Sequence, residues 1–203
     1  MAETTPNPTP TKEDSPRRHR VCPWWRGYLL TSPLRKLGEN PETILAPYVT
    51  PGMIVVDIGC AMGFFSLPLA RMVGDHGRVV CVDLQQRMLS TLGRRARRRG
   101  LGHIVEPRLC SQERLGLDDL AGRAGLVLAA HVVHESTFPN RFLEGCRTTL
   151  RPGGRLVILE PSGHVTAEEF DATRDLALAS GLVENHRTDM RRSRMLVLER
   201  PPD

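Results

Sequence analysis

From Met53 to Ser66 the chain reads Met-Ile-Val-Val-Asp-Ile-Gly-Cys-Ala-Met-Gly-Phe-Phe-Ser, and few folds accommodate such a segment. Residues 53–58 are apolar except Asp57, rich in β-branched side chains, and bounded by Pro51-Gly52 and Gly59. That is the pattern of a short strand buried on both faces. Small residues then turn the chain, and helical character begins at Phe64. In an open α/β sheet a strand, a tight turn and a helix in this order form the corner where ligands sit, beyond the carboxyl ends of the strands. Gly59 and Gly63 have no Cβ, so the backbone turns sharply there and a ligand can approach it closely.

The rest of the chain repeats the rhythm. Apolar runs recur at residues 78–82, 103–108, 126–130 and 155–160. Helical segments fall between them at 64–73, 85–99, about 112–120, and 139–150. Such alternation predicts an α/β fold, Rossmann-like and doubly wound, with a mostly parallel sheet and helices on both faces. After a helix over 166–180, closed by Gly181, two strand-like runs at 182–188 and 194–200 are close enough to pair. They predict an antiparallel C-terminal edge hairpin. Residues 1–20, rich in Pro, Thr and charge, read as a disordered tail. Residues 21–50 read as a helical cap segment, with Ser32-Pro33 and Asn40-Pro41 as helix starts. The domain proper is expected over 51–203.

Composition excludes several classes. With 203 residues, 40% of them hydrophobic and 25% charged, the chain supports one globular domain, and no run approaches a membrane span. The net charge of +5 rests almost wholly on arginine. The cluster Arg94-Arg95-Ala96-Arg97-Arg98-Arg99 suits the end of a helix better than a nucleic-acid surface. Cys22, Cys60, Cys81, Cys110 and Cys146 form no CxxC pair, and Met1 to Pro10 has no apolar core of a secretory signal. A reducing, cytoplasmic setting is expected.

A second acid, Asp83, ends the run Val79-Val80-Cys81-Val82-Asp83. At that strand tip a carboxylate can accept hydrogen bonds from both hydroxyls of a ribose. The turn lacks the GxGxxG spacing of a pyrophosphate site, and Asp57 would repel a pyrophosphate while suiting a cationic ligand.

These residues resemble the class I S-adenosylmethionine-dependent methyltransferases, in the manner of methyltransferase type 11/25 domains. The segment from Val55 to Gly63 looks like that family's first motif, with Ala61 in place of its middle glycine. Asp83 looks like its ribose-binding acid, and Leu150-Arg151-Pro152-Gly153-Gly154 like its turn before the fifth strand. The resemblance implies S-adenosyl-L-methionine as cofactor. It implies contacts from Asp57, Gly59, Cys60, Ala61 and Gly63 to the amino-acid part, from Asp83 and Leu84 to the ribose and adenine, and from Ser111 near the adenine edge. It also places His131 at the cofactor's reactive end.

Candidates for work on an acceptor follow the fourth and fifth strands. His131, His134 and Glu135 could supply a base oriented by a carboxylate. The same His-x-x-His-Glu spacing could ligate a metal, but no fourth ligand is evident, so no metal is assigned. Glu160 and His164 open onto the same face. Trp24 and Trp25, concentrated in the cap segment, could wall an apolar pocket. The expected function is methyl transfer to a small, partly apolar molecule. An RNA- or protein-directed methyltransferase and a cofactor-binding protein without transfer activity are the alternatives. Oligomeric state and acceptor atom stay open.

Overall fold

Short, mostly apolar runs, too short to cross a domain as helices, pair edge to edge into one sheet. The computed structural model describes residues 39–202. The expected tail over 1–20, most of the expected cap, and Trp24 and Trp25 lie outside the described residues. The strands are β1 (Ile54–Ile58), β2 (Arg78–Asp83), β3 (Val105–Leu109), β4 (Ala124–Ala130), β5 (Leu150–Pro161), β6 (Val183–Asp189) and β7 (Ser193–Glu199). Their spatial order is β3-β2-β1-β4-β5-β7-β6. The five strands β3 to β5 pair in parallel, whereas β7 runs antiparallel to both β5 and β6. The expected antiparallel hairpin is therefore present, docked with β7 inward and β6 at the edge.

The helices are α1 (Pro41–Leu45), α2 (Ser66–Val73), α3 (Gln86–Arg97), α4 (Pro139–Thr149) and α5 (Ala167–Ala179). Local chemistry starts them, at Asn40-Pro41 as the sequence suggests. Asn40 caps α1 by accepting from the Glu42 N–H, and Thr166 and Glu169 form a reciprocal capping box on α5. Alternate strand residues face two apolar layers. Val55, Val79, Leu126, Val157 and Val197 pack under α1, α2 and α3, while Val56, Val80, Val127, Leu156 and Leu198 pack under α4 and α5. Each such fully buried valine or leucine contributes about 2 kcal/mol.

One expected helix is absent. Residues 112–120 form an irregular loop with a single 3-10 turn at Asp118–Leu120. Gly116 sits at φ +66°, and the Ser111 hydroxyl takes the Glu113 and Arg114 N–H groups that a helix would have used. Leu117 and Leu120 are buried all the same, so the apolar spacing serves packing without a helix.

Candidate active site

The sheet order reverses between β1 and β4, because the connection after β1 covers one face and the connection after β4 covers the other. The crevice at their carboxyl ends is the ligand position of such a sheet. There the turn after β1 is clamped to β2. The Gly59 and Cys60 N–H groups donate to the Val82 carbonyl at 2.8 and 3.1 Å, and Gly63 N–H closes back on the Cys60 carbonyl at 2.9 Å. Gly59 and Gly63 have φ of +70° and +85°. A Cβ on Gly59 would lie 2.8 Å from Val132 Cγ2, and one on Gly63 only 2.3 Å from Leu92 Cδ1. Ala61 also adopts a left-handed φ of +47°. That geometry aims its N–H at Asp83 Oδ2, 2.9 Å away.

Asp83 is 8% exposed. Its Oδ1 accepts the Gln85 N–H at 2.8 Å. Burial raises its pKa, with the backbone N–H groups of Gln85, Ala61 and Leu84 opposing the rise. An ionised carboxylate has about four acceptor positions, and these three N–H groups leave capacity for a hydroxyl donor from the crevice. Such an acceptor suits the hydroxyls of a ribose diol, which donate. Leu84, half-buried, follows directly.

Asp57 is buried rather than open to the crevice. Its carboxylate accepts the Ser66 hydroxyl at 2.5 Å, which ties the strand tip to the first turn of α2. Burial pushes its pKa up to about 7, the Ser66 bond pulls it down, and the nearby Asp83 charge pushes it up again. Cys60 is buried, and burial first, then Cys81, Asp57 and Asp83, raise its thiol well above the ordinary value. It is therefore a small packing residue and not a thiolate. Arg95 of α3 donates to the Met62 carbonyl and braces the turn from behind. Ser111 is exposed, and its hydroxyl closes its own turn.

Two histidines stand past β4, each facing a carboxylate that adjacent sequence does not supply. His131 sits at φ +58°, with its N–H on the Leu159 carbonyl at 2.7 Å. Its Nε2 lies 2.8 Å from Glu39 Oε1, which also accepts the Ser193 hydroxyl at 3.2 Å. His131 Nδ1 is buried and has no hydrogen-bond partner among the described residues. His134 lies on the 3-10 turn Val133–Glu135. Its Nδ1 is 2.5 Å from Glu160 Oε2, and its N–H donates to Glu160 Oε1 at 3.1 Å.

The structure thus gives Glu160, expected at an acceptor, the task of holding His134. Glu135, expected as the orienting carboxylate, is half-buried and contributes charge near His134. His164 is exposed in the turn after β5, its N–H on the Pro161 carbonyl. Glu39 and Ser193 were not singled out by sequence. Asn40-Pro41 marks a helix start beside Glu39, but no spacing rule links residue 39 to 131. Among the described residues no group of three or more His, Cys, Asp or Glu side chains comes together to hold a metal, and no helix is long and apolar enough to cross a membrane. A separate cavity of about 240 Å³ lies between the 112–118 loop and α4, lined in part by Leu115, Arg141 and Thr148.

A mostly parallel seven-stranded sheet, an acid-glycine corner on its first strand and a second acid on the next define the class I S-adenosylmethionine-dependent methyltransferase fold. The chain matches the methyltransferase domain family over residues 56–158, just over half its length, and belongs to that family. It is 28% identical over 119 residues to the ubiquinone/menaquinone biosynthesis C-methyltransferase UbiE of Shewanella frigidimarina, covering 59% of this chain and 47% of that one. It is 33% identical over 107 residues to a ubiquinone biosynthesis O-methyltransferase of a Caulobacter species, covering 53% of this chain and 40% of that one. The chain thus spans less than half the length of these relatives. In fold it is similar to a SAM-dependent methyltransferase of Aquifex aeolicus, with TM-score 0.79 at 21% identity, over 89% of this chain and all of that one.

Proposed function

We propose that the protein is an enzyme that transfers a methyl group from S-adenosyl-L-methionine to a small, partly apolar molecule. The observation that carries this reading is the Asp83 carboxylate, pinned by Ala61 and Gln85 N–H groups beside a left-handed small-residue turn, with acceptor capacity left for a sugar diol. Membership of the methyltransferase domain family supports it, as do relatives named for C- and O-methylation in ubiquinone biosynthesis.

In this reading Asp83 holds the ribose, Leu84 covers one face of adenine, and Ser111 lies toward the adenine edge. Gly59, Cys60, Ala61 and Gly63 form the wall against the amino-acid part, and Asp57 supports that wall from behind. His131 borders the reactive end. Bound there, the cofactor would supply an electrophilic methyl group, with its sulfonium sulfur as the leaving group. The chain's own residues align the acceptor in line with the methyl–sulfur bond and exclude water. Residues 21–50 are assigned as a cap before the domain at 51–203. Its described end, α1 and Glu39, packs against α2 and the β4 rim. Cys60, Cys81, Cys110 and Cys146 are free thiols, which supports a reducing, cytoplasmic setting, and the arginines of α3 serve the fold in preference to a nucleic acid.

The test is titration calorimetry with S-adenosylmethionine. Asp83→Ala removes charged hydrogen bonds to the diol and is expected to weaken binding about 100-fold or more. Gly59→Val places branched atoms against Val132 and is expected to abolish binding. Unchanged affinity in both variants would overturn the reading.

A further inference from the structure

Glu160 spends both carboxylate oxygens on one residue. Oε1 accepts the His134 backbone N–H at 3.1 Å and Oε2 faces His134 Nδ1 at 2.5 Å, while Glu160 itself is 1% exposed. A carboxylate only accepts, so Nδ1 carries the proton and Nε2 is left as a lone pair. The His134 side chain is 27% exposed at the carboxyl rim of the sheet, just past β4. Burying a carboxylate is costly without a close partner, so this one is placed to set the imidazole.

We propose that the His134–Glu160 pair accepts the proton of a phenolic hydroxyl as that oxygen is methylated, which makes a phenol the acceptor class. The inference rests on the cofactor reading above and deepens it. A base helps only where the nucleophile holds a proton that it will not lose unaided, which a free amine does not require. Among hydroxyls, a phenol lies about three to four pK units above imidazole, whereas an alcohol resembling water lies about nine above. In the step the hydroxyl proton passes to Nε2, the oxygen bonds the methyl carbon, and the carbon–sulfur electron pair stays on sulfur. Glu160 balances the imidazolium until its proton returns to solvent.

The groups charging this imidazole are Glu160 from β5, Glu135 from its own turn and Glu169 from α5. Burial works to lower the His134 pKa, but the bond to Glu160 and the charge of these three carboxylates outweigh it, and the pKa is raised. Basicity is thereby brought closer to that of a phenolate.

The test compares phenol with 4-nitrophenol, the latter at a pH where it is already ionised, following S-adenosylhomocysteine formation. His134→Gln is expected to slow methylation of phenol about 100-fold or more and of 4-nitrophenolate less than about tenfold. Affinity for S-adenosylhomocysteine should be unchanged. Glu160→Gln should lower the His134 pKa followed by NMR and shift the acid limb of the rate profile with it. Equal slowing of both acceptors, or methylation of neither by the wild-type chain while it binds S-adenosylhomocysteine, would overturn the proposal and leave the cofactor reading standing. Failure of the wild-type chain to bind S-adenosylhomocysteine would overturn both. Should Glu160→Gln not fold, the substitution at the part-exposed His134 decides.

Discussion

Nε2 of His131 meets Oε1 of Glu39 at 2.8 Å, joining two residues that are 92 positions apart in the chain. Ser193, from the start of β7, donates to the same oxygen. The segment before β1 is thereby fastened to the rim where β4 ends, at a residue whose φ of +58° is uncommon for any side chain but glycine. Such a conformation persists only when its surroundings hold it, and Glu39 is one of the groups that do.

Removing that carboxylate leaves the Nε2 proton of His131 and the Ser193 hydroxyl without their acceptor. Glu39→Ala is expected to lower the unfolding free energy by about 1–3 kcal/mol in urea titrations. Glu39→Gln, which keeps an acceptor oxygen, should lose less. An alanine variant as stable as the wild type would show that the junction carries no energy.

Asp57 gives the fold a pH dependence with a definite sign. Its folded pKa of about 7 lies above the unfolded value of about 3.9. The folded state therefore keeps a proton that the unfolded state releases. Stability should fall as pH rises from about 4 to about 7 and level off above, by about 4 kcal/mol at most. Asp57→Asn keeps the shape and a partner for Ser66, and should flatten that slope. Urea unfolding across the window checks it, and an unchanged slope in the asparagine variant would refute the assignment.

What the sequence made legible was local. Apolar runs such as 53–58 and 78–82 specify buried strands because every side chain in them must leave water, whichever neighbour it meets. The Asn40-Pro41 start and the Gly181 stop are likewise closed within a few residues. The loop at 112–120 misled because Leu117 and Leu120 bury without a helix, while Gly116 and Ser111 bend the backbone away from one. In the site, the corner at Gly59 to Gly63 and the acid at Asp83 belong to adjacent strand tips and were readable. The partner of His134 was not. Sequence offered Glu135 beside it, but the β4–β5 register sets Ala130 opposite Leu159, which brings Glu160 up to the turn that follows. Pairing across a sheet leaves no spacing signal along the chain.

Ala61 tests how much the turn tolerates a side chain. A left-handed conformation costs an ordinary residue about 1–2 kcal/mol, and glycine gives back about 0.4–1 kcal/mol through its freer unfolded chain. Ala61→Gly should therefore stay within about 1 kcal/mol of the wild type in thermal or urea unfolding. Ala61→Val, β-branched at φ +47°, should destabilise by more than that and weaken S-adenosylhomocysteine binding, because the N–H held toward Asp83 moves with it. A valine variant with wild-type affinity would show that the turn does not set Asp83.

The contact of Gly59 with Val132 separates two reasons for a glycine at that corner. A Cβ on residue 59 would meet Val132 Cγ2 at 2.8 Å and Cβ at 2.9 Å, at a φ of +70° that resists any side chain. Gly59→Ala alone should cost both stability and binding. Val132→Gly alone removes both Cβ and Cγ2, opens a small void and should cost about 1 kcal/mol or more. Combined, the two changes should cost less stability than their sum, since each relieves the other. Affinity for S-adenosylhomocysteine in the double variant decides the matter. If the methyl group on residue 59 stands where the cofactor comes up to the backbone, binding stays weak even after Val132 has made room. Full recovery of binding would mean that the glycine serves only the packing of the β1 turn against the loop after β4.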